Sequence, residues 1–166
     1  GFYPSQLPDG ILERDPEGLK SDLGTGAADV ARIVSEIRDR VQVELRPTGD
    51  PEDDRYRLLQ SVMGFLRNAS TVQPLLIILE DLHWADRGTL ELLTHVARNL
   101  QVADSTGRGA RLLLVGTYRD VEVDRSHPLS ATLAELRRVS AFQRIPLRGL
   151  TVEEVQRMMS AIRGQE

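Results

Sequence analysis

Residues 74–86 read PLLIILEDLHWAD, a run of large aliphatic residues closed by two adjacent carboxylates, a His-Trp pair and a third acid. A continuous apolar run without helical spacing predicts a strand covered on both faces, as in a parallel sheet. Leu75–Leu79 is that strand. Glu80 and Asp81 then stand at its carboxyl end, and neighbouring carboxylates in a partly buried place repel each other unless a cation or a proton relieves them. That edge of an open parallel sheet is where ligands bind, because loop amides and helix N-termini converge there. Magnesium with a phosphate ligand suits the pair, since it takes few protein carboxylates and keeps water and phosphate oxygens. The same acids also admit a purely structural reading, with one in solvent and the other capping the next helix.

Outward from this stretch the periodicity predicts alternating helices and strands. A helix over about 87–101 would bury Leu90, Leu93, Val96/Ala97 and Leu100, and the segment DSTGRG would be a loop. ARLLLVGTYR supplies a second buried strand, and Pro128 opens a helix carrying Leu129, Leu133 and Leu136. FQRIPLRGL reads as a third, shorter strand whose proline suits an edge or a strand end. Thr151 and Glu154 form a capping box before a helix with Val155, Met158/Met159 and Ile162. From residue 74 the order is βαβαβα, which predicts an α/β fold with a parallel sheet. Upstream, the Pro, Gly and Asp of residues 1–24 predict irregular structure with one short helical turn. Val30, Ile33/Val34, Ile37 and Val41 then predict one amphipathic helix over 26–43. Asp50 and Pro51 open another, with Tyr56, Leu59, Val62/Met63 and Leu66 inward.

The composition narrows the function. The 166 residues suit one domain, the aromatic content of 4% leaves little for base stacking, and a net charge of −4 comes with no basic patch for nucleic acid. There is no cysteine, and the three histidines, His83, His95 and His127, are too dispersed for a zinc site. The longest apolar run is too short to span a bilayer and the first residues lack signal-peptide character, so the expected place is the cytoplasm. All basic residues but one are arginine, the exception being Lys20.

The second strand shifts the balance toward the site reading of the acids. It ends Gly116-Thr117-Tyr118-Arg119, which puts a hydroxyl and a guanidinium on the same sheet edge as Glu80 and Asp81. A hydroxyl can bond the attacking water or a phosphate oxygen, and an arginine fork neutralises phosphate. Acid pair, Thr and Arg together make a phosphoryl-transfer constellation.

PLLIILEDLHWADRGTLELLTHVARNL, RLLLVGTYRDVE, HPLSATLAELRR and IPLRGLTVEEV together resemble the second half of the P-loop ATPase domain of large signalling proteins. These are the AAA-like signal-transduction ATPases with numerous domains (STAND), among them ATP-binding LuxR-type transcription regulators and the ATPase modules of bacterial adenylate/guanylate cyclases. The resemblance implies a partial P-loop NTPase-like three-layer sandwich. Residues 1–25 would be an irregular segment and 26–166 an incomplete ATPase domain, with a helical part at 26–70, a sheet core at 74–148 and a C-terminal helix at 151–166. It also implies ATP and Mg²⁺ as cofactors, and Walker B roles for Glu80 and Asp81, one holding Mg²⁺ through water and the other polarising the attacking water. Glu80 stands where most members have Asp. Thr117 and Arg119 match the sensor 1 motif, with Arg119 sensing phosphate. Trp84 and Asp86 match a His-Trp-x-Asp turn, in which the ring packs over the sheet edge and Asp86 caps the next helix.

The resemblance further implies a Gly-x-x-x-x-Gly-Lys-[Ser/Thr] loop to cradle the phosphates, and these 166 residues contain none. The family would place that loop before residue 1 and its helical lid after residue 166. The expectation is therefore a fragment, inactive alone, of a domain that couples ATP binding or hydrolysis to an output domain. Its partners would be the missing half of the ATPase domain and that output domain, and copies of the chain would associate. The alternative is a non-catalytic interaction module with the same fold.

Overall fold

The computed structural model describes residues 15–44, 47–100 and 109–163. The expected irregular stretch before Asp15, most of the DSTGRG loop and the last three residues lie outside the described residues. The described chain begins with helix α1, Pro16–Leu23, longer than the single turn expected there. Leu19 and Leu23 on it are buried, so the segment belongs to the core. A tight turn at Gly24–Gly26 leads to α2, Ala27–Val30, and α3, Ser35–Val41.

One helix was expected over 26–43, and the structure breaks it between Ala31 and Val34. Arg32 and Ile33 bond back only three residues, to Asp29 and Val30, and Val34 turns extended at φ −123° and ψ 98°. The bend lets Ala27, Val30, Val34, Ile37 and Val41 bury into one cluster with Leu19 and Leu23, which a straight helix of that length would not. Helix α4, Pro51–Val72, begins where the cap chemistry predicts, with the Asp50 carboxylate accepting from the Glu52 and Asp53 amides. It buries Val62, Met63, Phe65, Leu66 and Ala69, whereas Tyr56 lies exposed on its first turns.

Strand β1, Leu75–Leu79, and strand β2, Leu112–Gly116, pair in parallel with Leu75 opposite Leu112 and Leu79 opposite Gly116. Helix α5, Arg87–Asn99, makes the crossover between them. The Arg111 guanidinium holds the end of α4 through the Ser70 carbonyl, so helix and sheet are joined at the strands' amino edge. Alternation along the strands then fixes which residues meet the helices. Leu75, Ile77 and Leu112 pack toward the α1–α4 cluster, and Leu79 and Leu114 toward a second cluster of Leu82, Leu90, Leu93, Ala97, Leu129 and Leu136. Leu129 and Leu136 come from α6, Pro128–Leu136.

Two expectations are corrected here. Both sheet faces were to be covered, yet Leu76, Ile78, Leu113 and Val115 face outward and are 53%, 56%, 62% and 38% exposed. The sheet has two strands, because FQRIPLRGL at 142–150 forms no strand among the described residues. Ile145 and Leu147 are exposed, and the segment is tied down by the Arg144 guanidinium, which bonds the Asp120 carboxylate at 2.5 and 2.7 Å. A strand needs a neighbour to satisfy its backbone, and the described residues offer none beside this segment. The capping box stands as expected: the Thr151 amide donates to Glu154 and the Glu154 amide to Thr151 Oγ1. It opens α7, Val152–Arg163, which buries nothing. The molecule is thus an α/β unit with one helical layer on a parallel pair, and a second layer completing a three-layer sandwich is not seen among the described residues.

Candidate functional site

The parallel register brings the two strand ends side by side. The Thr117 amide donates to the Leu79 carbonyl and the Leu82 amide to the Thr117 carbonyl, both at 2.9 Å, so backbone pairing runs past the last assigned strand residues. Between them the chain turns at Asp81, which adopts φ 54° and ψ 44°, the left-handed region that Asp tolerates better than most residues. The turn aims the Asp81 amide at Thr117 Oγ1, 3.2 Å away, and leaves the Asp81 carboxylate half-exposed at the edge. Glu80 is exposed beside it. A Cβ at Gly116 would lie 2.5 Å from Leu82 Cδ1, so a side chain there would make Leu82 shift.

A tight helical turn at Leu82–Trp84 follows, and it buries Leu82 and His83. Trp84 was expected to pack over the sheet edge. It is instead 64% exposed, its ring tilted against His83 at 4.8 Å, because the short turn that points His83 inward points the next residue out. Asp86 caps α5 as expected, its Oδ1 accepting from the Thr89 amide at 2.8 Å.

Arg119 lies beyond Thr117 and donates from Nη1 to Glu122 Oε1 at 3.0 Å. Glu122 belongs to a short turn, Asp120–Glu122, and its other oxygen lies 3.4 Å from His83 Nε2. The same His83 nitrogen lies 3.9 Å from Asp81 Oδ1. Neither nitrogen of this buried ring has a hydrogen bond. An unmet buried polar group costs about 1–3 kcal/mol, so its presence beside the acid pair calls for a reason.

His127 braces the same turn from the other side. Its Nδ1 accepts from the Leu129 amide at the start of α6, which puts the proton on Nε2, and Nε2 donates to the His83 carbonyl at 3.0 Å. Asp124 organises the loop that carries it. The Ser126 hydroxyl and amide, and then the His127 amide, bond its carboxylate and hold its pKa below the ordinary value.

The structure therefore brings Asp81, Thr117 and Arg119 to one edge, with Glu80 on the solvent side of it. It adds Glu122 and His83, which sequence reasoning missed. Their only signal was adjacency: His83 follows the acids by two positions and Glu122 ends the quoted GTYRDVE. Among the described residues no cluster of three or more His, Cys, Asp and Glu could hold a metal alone. The two acids fit Mg²⁺ arriving with a phosphate ligand, which needs few carboxylates, and do not fit an all-protein metal cage. A groove of about 1300 Å³ opens beside this edge, between α5, α6 and the turn after β2, lined by Tyr118, Asp120, His127 and Arg144 among others. Glu80, Asp81, Thr117 and Arg119 are not among its lining residues, and Glu80 and Asp81 are exposed.

The AAA ATPase domain family model matches residues 6–115, a span that includes β1, Glu80 and Asp81 and ends within β2. The chain belongs to the AAA ATPase domain family. It matched neither a curated protein nor a solved structure. Membership makes this chain part of a nucleotide-dependent ATPase-like module, and AAA ATPase domains generally use ATP and Mg²⁺. Among the described residues no helix is long and apolar enough to cross a membrane.

Proposed function

We propose that this AAA ATPase domain chain carries the acid and sensor half of an ATP-hydrolysing site in a signalling protein, where ATP binding or hydrolysis sets the state of an attached output domain. The observation that supports it is the 3.2 Å bond between the Asp81 amide and Thr117 Oγ1, which locks the acid turn to the segment after β2 that carries Arg119. Bound Mg²⁺ would neutralise phosphate charge and orient the phosphate oxygens. Glu80 and Asp81 would hold it through water, and the free Asp81 oxygen would accept a hydrogen bond from the attacking water. Thr117 Oγ1 orients the acid turn, and Arg119 swings from Glu122 to the terminal phosphate as charge develops there.

The phosphate-cradling loop would come from another segment, and the output would be of the transcription-regulator or cyclase type, acting in the cytoplasm. With the chain in an ATPase that supplies a GxxxxGK[ST] loop, Asp81→Asn should remove most hydrolysis, by at least about 100-fold, while nucleotide binding stays close to normal. Asn tolerates the left-handed backbone and keeps the amide bond to Thr117, so the loss would be chemical. Unchanged turnover would overturn the assignment of Asp81, and normal nucleotide binding without turnover in the unsubstituted protein would favour a non-catalytic module.

A further inference from the structure

We propose that His83 is a positioning residue that couples the hydrolytic acid to the phosphate-sensing arginine, a role that rests on the ATPase reading of the site. Its ring is buried, with 1% of the side chain exposed. Both nitrogens lack hydrogen bonds, and Nε2 sits between two carboxylates, 3.4 Å from Glu122 Oε2 and 3.9 Å from Asp81 Oδ1. Those distances are a fraction of an ångström beyond a good hydrogen bond, so a small ring movement closes one or the other. A neutral ring with its proton on Nε2 can serve either oxygen, but a single N–H serves them in alternation.

The alternation is what couples the two groups. Glu122 Oε1 already accepts from Arg119. When Nε2–H turns to Glu122, that carboxylate shares its charge between His83 and Arg119 and holds the arginine less firmly. When it turns to Asp81, one acid oxygen is taken up by the ring and Glu122 is left to Arg119 alone. Drawing Arg119 away to phosphate would free Glu122 to accept a hydrogen bond from His83 Nε2–H and leave both Asp81 oxygens to water and Mg²⁺. His127 keeps the ring in reach by bonding the His83 carbonyl at 3.0 Å. The unmet Nε2 is thereby explained: it is a donor held within range of two acceptors.

Two measurements test this. In the 166-residue chain without nucleotide, NMR of the imidazole nitrogens should show the His83 proton on Nε2, with a resonance that moves in both Glu122→Gln and Asp81→Asn. A proton on Nδ1, or a resonance indifferent to both changes, overturns the proposal. In an ATPase containing the chain, His83→Leu should lower kcat by about 10–100-fold with KM changed little, and His83→Gln, which keeps a donor near Nε2, should recover most of the loss. Equal losses in the two variants would mean that the ring only fills space, and an unchanged kcat in His83→Leu beside an inactive Asp81→Asn would refute positioning while leaving the ATPase reading intact. An active Asp81→Asn would remove both. Should His83→Leu not fold, Glu122→Gln on its part-exposed turn must lower kcat by itself, and a normal kcat there would refute the coupling.

Discussion

Asp81 has two duties at one position, since its backbone must take the left-handed turn that its side chain then exploits. The conformation sorts substitutions by stability separately from activity. Asp81→Val should unfold more easily by about 1–2 kcal/mol, because a β-branched residue is strained there, whereas Asp81→Gly should be no less stable than the parent chain while lacking the acid. Thermal unfolding of the two variants checks this. Asp124 gives a pH dependence whose sign follows from its bonds to Ser126 and His127. Its folded pKa is depressed, so its contribution is present above the ordinary carboxylate value and lost as pH falls through the lower folded value. Unfolding midpoints of the parent and Asp124→Asn should therefore differ most above about pH 4 and converge below it. Glu80, Asp81, Thr117 and Arg119 were legible as residue types at strand ends. His83 and Glu122 were not, because what matters about them is burial and a gap of 3.4 Å, which no local pattern encodes.

Among the elements, those whose local chemistry is self-sufficient agree with expectation. Asp50 with Pro51, Asp86, and Thr151 with Glu154 each satisfy helix-end amides within a few residues, so their positions can be read directly. The two strands were equally plain as aliphatic runs. The break between α2 and α3 was not, since the apolar spacing continues through it and only packing against α1 and α4 decides the bend. Gly26 is a close approach in that packing: a Cβ there would lie 2.7 Å from Ser61 Cβ and 3.1 Å from Ser61 Cα on α4. The Ser61 hydroxyl also bonds buried Asp29 at 3.1 Å, so the helix cannot retreat without losing that partner. Gly26→Ala should cost about 1–3 kcal/mol, read as a lowered denaturant midpoint at an unchanged slope.

At the scale of the whole molecule the outward face of the sheet governs behaviour. Leu76, Ile78, Leu113 and Val115 form a contiguous apolar surface, and α7 carries Val155, Met158, Met159 and Ile162 into solvent. Each strand also has an edge with no partner among the described residues. Such surfaces drive association, so the isolated chain should self-associate, with light scattering giving a mass above that of one chain. Ile78→Glu with Leu113→Glu should shift it toward monomer, and a monodisperse unsubstituted chain would refute the expectation. The sequence by itself determined the two paired strands, the helix caps, the family and the residue types at the strand ends, because each depends on residue type and short spacing. Only the tertiary structure decided which sheet face meets the helices, that 142–150 stays unpaired, and that His83 stands unbonded between two acids. Those outcomes depend on which distant groups come within a few ångströms, and among the described residues none covers the outward face of Leu76, Ile78, Leu113 and Val115.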